Sequence, residues 1–286
     1  MTVIPPARPL TFLAALATML TLGLPAAAQK RPTDPVTWTT VGSSAAPSLL
    51  AVPAHCQQFS CALIVVSHPR AQTPERLRDS PEFTRLRDTL LAGNFAMLLS
   101  SDGGPTTWGS PQGLKHAGKA HQQARQAFMW NGRTYALGIS MGGLMALRST
   151  LPGGPYAVSG VALIDPWVNL VAAWHSAPSR QQEIREAYGP AADLKLIEEQ
   201  DPLHLALQLP PLPLVLTSSL DDKVVSPLQN SELLAGHGDV TFSQHVRLTG
   251  PHLGGNRFTL QMGETLRTFF ERLEQQAEVL VRRPGR

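Results

Sequence analysis

Arg133-Thr134-Tyr135-Ala136-Leu137-Gly138-Ile139-Ser140-Met141-Gly142-Gly143-Leu144-Met145-Ala146-Leu147 is the stretch whose reading decides the fold. Tyr135 to Leu137 is a short run of strand-forming character. Gly143 to Ser149 is small and apolar, with good helix formers. Between them, Gly138-Ile139-Ser140-Met141-Gly142 fits Gly-x-Ser-x-Gly. The segment predicts a strand, a serine on a tight turn and a buried helix.

The spacing has a steric reason. A serine held in a strained conformation at a strand end projects its hydroxyl above the sheet. Side chains two positions either side would collide with the crossing helix and strand, which calls for Gly138 and Gly142. The helix that follows aims its amides and its positive dipole end at the same point.

Working outward, short apolar runs recur on both sides. Val36 to Val41 and Ser48 to Val52 read as a leading antiparallel pair around a Gly-Ser-Ser-Ala-Ala-Pro turn. Ala62 to Val66, Phe95 to Leu99, Val158 to Ile164 and Leu212 to Thr217 read as buried strands, and Val240 to Leu248 as the last one. Helical spacing covers residues 81–92, 112–129 and 256–281. Apolar strands alternating with helices predict an α/β fold, a mostly parallel central sheet with helices on both faces. Residues 166–209, with Trp167, Trp174 and His175, are too long for a simple crossover. They predict a small cap-like insertion of extra helices.

A serine becomes a useful nucleophile only when a base takes its proton and a third group orients the base. Two strand ends downstream offer these groups. Asp222 lies in Ser219-Leu220-Asp221-Asp222-Lys223-Val224-Val225-Ser226-Pro227, and His252 in Thr249-Gly250-Pro251-His252-Leu253-Gly254-Gly255. The order is Ser, Asp, His. His245 falls inside an expected strand and His237 in a turn before it. His55, His116, His121, His175 and His204 fit no position in such a triad.

With these three segments the chain resembles the α/β-hydrolase superfamily over essentially its whole length after the leader. The resemblance implies the α/β-hydrolase fold, with Ser140, Asp222 and His252 as catalytic residues. The superfamily usually places the acid three residues before a valine, which selects Asp222 ahead of Val225. Asp221, ahead of Val224, is the rival. The resemblance also implies an oxyanion hole with one amide from Met141. The other amide comes from the loop after the early buried strand, where the superfamily often shows His-Gly. This chain has His68-Pro69, and proline has no N–H to donate. The donor expected is therefore Arg70, with Ala71 second.

Acyl transfer of this kind needs no cofactor and no metal, and its partner is a small-molecule ester. Peptidase and thioesterase chemistry are alternatives on the same fold, and a non-catalytic binding protein is an alternative of another class. A peptidase of the prolyl-oligopeptidase kind is disfavoured because no propeller precedes the domain. Gly113 to Ala120 nearly matches a phosphate-binding loop, but Ala120 lacks the hydroxyl that would hold magnesium and no apolar strand precedes it.

The 286 residues suit one large domain, and a net charge of +3, scattered along the chain, excludes a nucleic-acid partner as the expected reading. Residues 1–28 read as a signal peptide: Arg8, an apolar run from Leu10 to Leu24, then Ala26-Ala27-Ala28 as a cleavage signal. The apolar run is short for a membrane span, so no span is expected after cleavage near Ala28, a retained anchor being the alternative. The hydrolase-like domain would then be 29–286, secreted or periplasmic. Cys56 and Cys61 are the only cysteines, and in an oxidising compartment they are expected to form a disulfide rather than remain free thiols.

Overall fold

The computed structural model describes Met1 and residues 36–282. The signal peptide expected over residues 1–28, with its cleavage point at Ala28, lies outside the described residues.

The described residues from 36 onward begin with a hairpin, β1 (Trp38–Ser43) and β2 (Ala46–Ala51), in antiparallel register from Trp38↔Ala51 to Ser43↔Ala46. β3 (Cys61–Ser67) follows, then α1 (Pro74–Arg78), α2 (Pro81–Ala92) and β4 (Ala96–Ser100). α3 (Pro111–Ala124), β5 (Trp130–Ile139), α4 (Gly142–Ser149) and β6 (Val161–Ile164) complete the centre. Four short helices then intervene: α5 (Leu170–Ser176), α6 (Pro178–Tyr188), α7 (Leu194–Glu199) and α8 (Pro202–Ala206). The chain closes with β7 (Leu214–Ser219), α9 (Ser231–Ala235), β8 (Gln244–Leu248) and α10 (Leu260–Arg282).

The strands form one eight-stranded sheet in the order β1-β2-β4-β3-β5-β6-β7-β8. β2 meets β4 antiparallel, and every pairing from β4 through β8 is parallel. Alternation along the strands divides the core between the faces. Ile64, Val66, Tyr135 and Leu137 join Leu86 and Leu90 of α2 and Phe269 and Phe270 of α10. Leu63 and Val65 turn the other way, toward Ala120 and Ala124 of α3. Ala136, Leu163 and Leu216 turn with them and meet Ala146 and Leu147 of α4, Leu203 of α8 and Leu234 of α9. Helices therefore cover both faces, as the continuous apolar runs require.

Local chemistry fixes the helix starts. Ser80 accepts from Phe83 N (3.2 Å) with Pro81 in the first turn, and Ser110 accepts from Gly113 N (3.2 Å) with Pro111 in the first turn. Gly113 to Ala120 is thus helical and forms no phosphate-binding loop.

Some boundaries differ from the sequence reading. The last strand begins at Gln244 rather than Val240, because Asp239 Oδ1 accepts from Thr241 N (2.9 Å) and Phe242 N (3.2 Å) and folds that segment into a turn. β6 begins at Val161 rather than Val158. α3 ends at Ala124 rather than near residue 129, and Met129 N is instead taken by Cys56 O at 3.1 Å. Cys56 and Cys61 are joined as a disulfide, Cα–Cα 5.5 Å, at the head of β3. Among the described residues, no helix is long and apolar enough to cross a membrane.

His121 on α3 is buried in this frame. Its ring stacks on Tyr156 (centroids 4.5 Å), meets Trp130 edge-on, and pairs with the Thr134 hydroxyl at 2.9 Å. Burial, reinforced by the nearby Arg125 charge, pushes its pKa down to about 4. The folded protein therefore holds this ring neutral where the unfolded chain, titrating near 6.5, takes up a proton. Its contribution to stability is complete above pH ~6.5 and is lost as pH falls toward 4, by up to ~3 kcal/mol. Denaturant unfolding across that window should show a shallower pH dependence in His121→Phe than in wild type; equal slopes would contradict this assignment.

Candidate active site

The site stands at the carboxyl ends of the parallel strands, where β5 gives way to α4. Ser140 occupies the junction with a φ of +53°, a left-handed conformation that strains any residue but glycine. Three backbone bonds hold it there. Ser140 N donates to Ile164 O (2.9 Å), while its carbonyl accepts from Gly143 N (2.9 Å) and Trp167 N (3.0 Å). The glycines on either side are sterically required. A Cβ on Gly142 would lie 2.1 Å from the Ser67 carbonyl oxygen, and one on Gly138 would lie 2.7 Å from Gly142 O.

Ser140 Oγ is 2.9 Å from His252 Nε2, and His252 Nδ1 is 2.6 Å from Asp222 Oδ2. The carboxylate can only accept, so Nδ1 carries the proton and Nε2 is left with its lone pair toward the serine. Asp222 Oδ1 accepts from Val224 N (2.8 Å) and Val225 N (2.9 Å). Burial pushes the Asp222 carboxyl up, but the His252 bond and these amides outweigh it and hold it below the usual carboxylate range. The carboxylate thus stays ionised and keeps the imidazole oriented.

Asp221 points elsewhere: its Oδ2 accepts from Gly250 N at 2.8 Å. The two adjacent acids divide their work, Asp222 on the histidine ring and Asp221 on the backbone of the histidine loop. Four other histidines pair elsewhere. His245 pairs with Ser218 Oγ (2.7 Å), His116 with Gln112, His204 with Gln208, and His55 stacks on Phe59.

The segment after β3 packs against the elbow, the tight turn from β5 through Ser140 into α4, since Ser67 O and His68 O are the atoms a Cβ on Gly142 would strike. His68 is buried there, with Nδ1 2.8 Å from Pro69 O and Nε2 3.2 Å from Ser101 O. Ala71 N is occupied by Pro105 O at 2.8 Å, whereas no partner for Arg70 N or Met141 N occurs among the described residues. Of the two amides considered after His68-Pro69, Arg70 N is therefore the one left to donate. The Arg70 guanidinium forks onto Glu183 of α6, which also accepts from Trp108 Nε1 (3.0 Å). The segment 166–209 thus touches the site at several points. Trp167, Trp174, Ile184 and Ile197 pack with Trp108, Met141 and Val225 beside the serine.

Two residues here went unassigned in the sequence reading. Asp165, at the end of β6, approaches Asp222 and His252: one oxygen or nitrogen atom each of the three residues lie within 4.8 Å of one another. Its Oδ2 accepts from Arg257 Nε and from Leu253 N, each at 2.8 Å. The position of Asp165 at a strand's carboxyl end was a readable signal; nothing local marked Arg257 as its partner.

The steric demand at the elbow gives a direct test. Gly142→Ala should destabilise the fold by more than ~4 kcal/mol, because the clashing atom is backbone and cannot rotate away. Urea unfolding of the variant measures this, and a loss under ~1 kcal/mol would mean the elbow relaxes freely.

No protein-family model matches the chain, and no curated protein matches it. Solved structures do. Est1E from Butyrivibrio proteoclasticus superposes with a TM-score of 0.61 at 11% identity, over 83% of this chain and 99% of its own. An S-formylglutathione hydrolase from Agrobacterium tumefaciens gives 0.61 at 14% identity, over 82% and 94%. A truncated carbohydrate esterase from gut microbiota gives 0.63 at 13% identity, over 84% and 96%. Likeness at such low identity speaks to architecture, and with the sheet order above that architecture is the α/β-hydrolase fold.

Proposed function

We propose that this chain is a serine hydrolase that cleaves a carboxylic ester through an acyl-enzyme. The observation that carries the reading is the line of contacts Ser140 Oγ–His252 Nε2 (2.9 Å) and His252 Nδ1–Asp222 Oδ2 (2.6 Å). The carbohydrate esterase among the similar structures supports the choice of an ester. The Cys56–Cys61 disulfide supports an exported protein, since such bonds persist in oxidising compartments.

Each step follows from groups already placed. His252 Nε2 takes the Ser140 hydroxyl proton as Oγ attacks the ester carbonyl carbon. The carbonyl oxygen gains the negative charge, and Met141 N and Arg70 N stabilise it. The tetrahedral adduct collapses, the C–O bond to the alcohol breaks, and the leaving oxygen takes the proton from Nε2. Water then gives a proton to Nε2 and attacks the acyl carbon. Collapse frees the carboxylic acid and returns the proton to Ser140. Asp222 keeps the imidazole in its productive tautomer and stabilises the imidazolium formed twice per cycle.

A panel of p-nitrophenyl esters from acetyl to long acyl, with a peptide amide and a thioester alongside, tests the reading and ranks substrates. Wild type should hydrolyse at least one ester and take up a fluorophosphonate at Ser140, and Ser140→Ala should lose both, with kcat down by ~10⁴-fold or more. If neither turnover nor labelling appears in wild type, the enzyme reading fails and a binding role on this fold takes its place.

The division between the adjacent acids is a second test. Asp222→Asn should lower kcat by about 10⁴-fold, because an amide facing Nδ1 no longer selects the productive tautomer. Asp221→Asn should cost under ~10-fold, since it weakens one bond to Gly250 N and leaves the ring partner in place. Equal losses, or the reverse order, would reassign the acid.

A further inference from the structure

Asp165 and Arg257 form an ion pair with both side chains fully buried. The mechanism above uses neither residue. Such a pair is costly to desolvate and is a weak explanation of stability by itself. Where its hydrogen bonds go is more informative. Arg257 is anchored on Asp165 through Nε (2.8 Å) and spreads its two amino groups onto Thr249 O (2.7 Å), Gly250 O (3.4 Å) and Asn256 Oδ1 (2.5 Å). Thr249 and Gly250 lead into His252. The same Asp165 oxygen that meets Arg257 accepts from Leu253 N at 2.8 Å, on the residue just past His252.

The histidine is therefore gripped on both sides by one buried pair. Leu253 has a φ of +52° and Asp165 a φ of +41°, conformations that persist only where surrounding bonds over-determine them. β6 lies beside β5, so Asp165 also ties the histidine loop to the strand next to the one that presents Ser140. We infer that Asp165, through Leu253 N and Arg257, is a positioning residue that sets the His252 ring against Ser140 and Asp222. It touches no reacting atom in this role. The inference rests on the proposed catalytic use of His252.

Loss of the grip should lower kcat and leave KM nearly unchanged, because ground-state binding does not need the imidazole in place. Asp165→Ala, which removes both bonds, should lower kcat by about 10²-fold, the scale of a displacement near 1 Å. Asp165→Asn keeps an acceptor oxygen where both donors converge and should recover part of that loss. Glu274→Gln weakens a comparable network with Arg133, Asn131 and Tyr135 away from the site, and should lower Tm without changing kcat.

A second readout is independent of the substrate. The far-downfield proton on His252 Nδ1, held in the 2.6 Å bond to Asp222, should appear in the proton NMR spectrum of wild type and vanish or broaden in Asp165→Ala. The inference is overturned if folded Asp165→Ala keeps that resonance, or keeps kcat within about threefold of wild type. Should Asp165→Ala fail to fold, Arg257→Lys decides. It retains a cation beside Asp165 but cannot reach both loop carbonyls, and should cost about tenfold in kcat, an unchanged kcat overturning the inference. If wild type shows no hydrolase activity at all, the functional reading fails, while the histidine resonance still tests the positioning.

Discussion

The close approach of two backbone segments governs everything around Ser140. The first turn of α4 presses so tightly on the end of β3 that a single methyl on Gly142 would sit 2.1 Å from the Ser67 carbonyl oxygen. Only glycine permits that approach, and the approach brings Ser67 and His68, which lead into Pro69 and Arg70, against the first turn of α4. The proposed nucleophile and the loop proposed to supply the second oxyanion amide thus depend on one packing event. The rest of the sheet supports it: β5 and β3 are held in parallel register from Leu63↔Thr134 to Ser67↔Gly138, so both strands end together. The open ends then face the same space, as expected for ligand sites in open α/β sheets.

Charge is handled by enclosure. Asp222 and Asp165 lie close together near one imidazole, where two unpartnered carboxylates would repel. Each is neutralised separately, Asp222 by two amides and the histidine, Asp165 by Arg257 and Leu253 N. Burial pushes the Asp165 carboxyl up against the pull of Leu253 N and Arg257, whereas Asp222 is held low. Different surroundings thus set the two acids apart, and only Asp222 has a direct bond to the ring.

Much of this was legible in sequence because it is local. The Gly-x-Ser-x-Gly pattern declares its own sterics, and the strand-then-acid and strand-then-histidine segments follow from alternation of apolar runs. Asp222 could be preferred to Asp221 because it stands three residues before Val225, as the resemblance implies; that adjacent side chains diverge says only that one of the two faces the ring. What stayed hidden was non-local or fell at element ends. Asp165 was visible only as the end of β6, because Arg257 is 92 residues further along and carries no motif. The turn at 239–243 was hidden because Val240 and Phe242 look strand-forming, while one Asp239 side chain bonds enough amides to override them. The helices of 166–209 were foreseeable as an insertion, but not their seat on Trp108, since that contact depends on tertiary packing.

Backbone strain shows the same concentration from another direction. Of the seven non-glycine residues with positive φ among the described residues, five follow the carboxyl ends of β3 (Ala71), β4 (Asp102), β5 (Ser140), β6 (Asp165) and β8 (Leu253), Trp108 lies in the loop after β4, and Asn94 lies apart in the turn between α2 and β4. Each costs about 1–3 kcal/mol that the fold must offset elsewhere. The offset is local and specific: every one of the five strand-end amides is bonded, Ala71 N to Pro105 O, Asp102 N to Ser100 Oγ, Ser140 N to Ile164 O, Asp165 N to Thr217 O and Leu253 N to Asp165. At Ser140 and Asp165 the bond comes from the neighbouring strand, so β6 holds the serine and β7 holds Asp165. Strain in one strand end is thereby held by the next, in sequence across the sheet from Ser140 through β6 to β7. A chain of that kind holds Ser140 in a shared frame with Asp222 and His252 although the Ser140 backbone is itself strained.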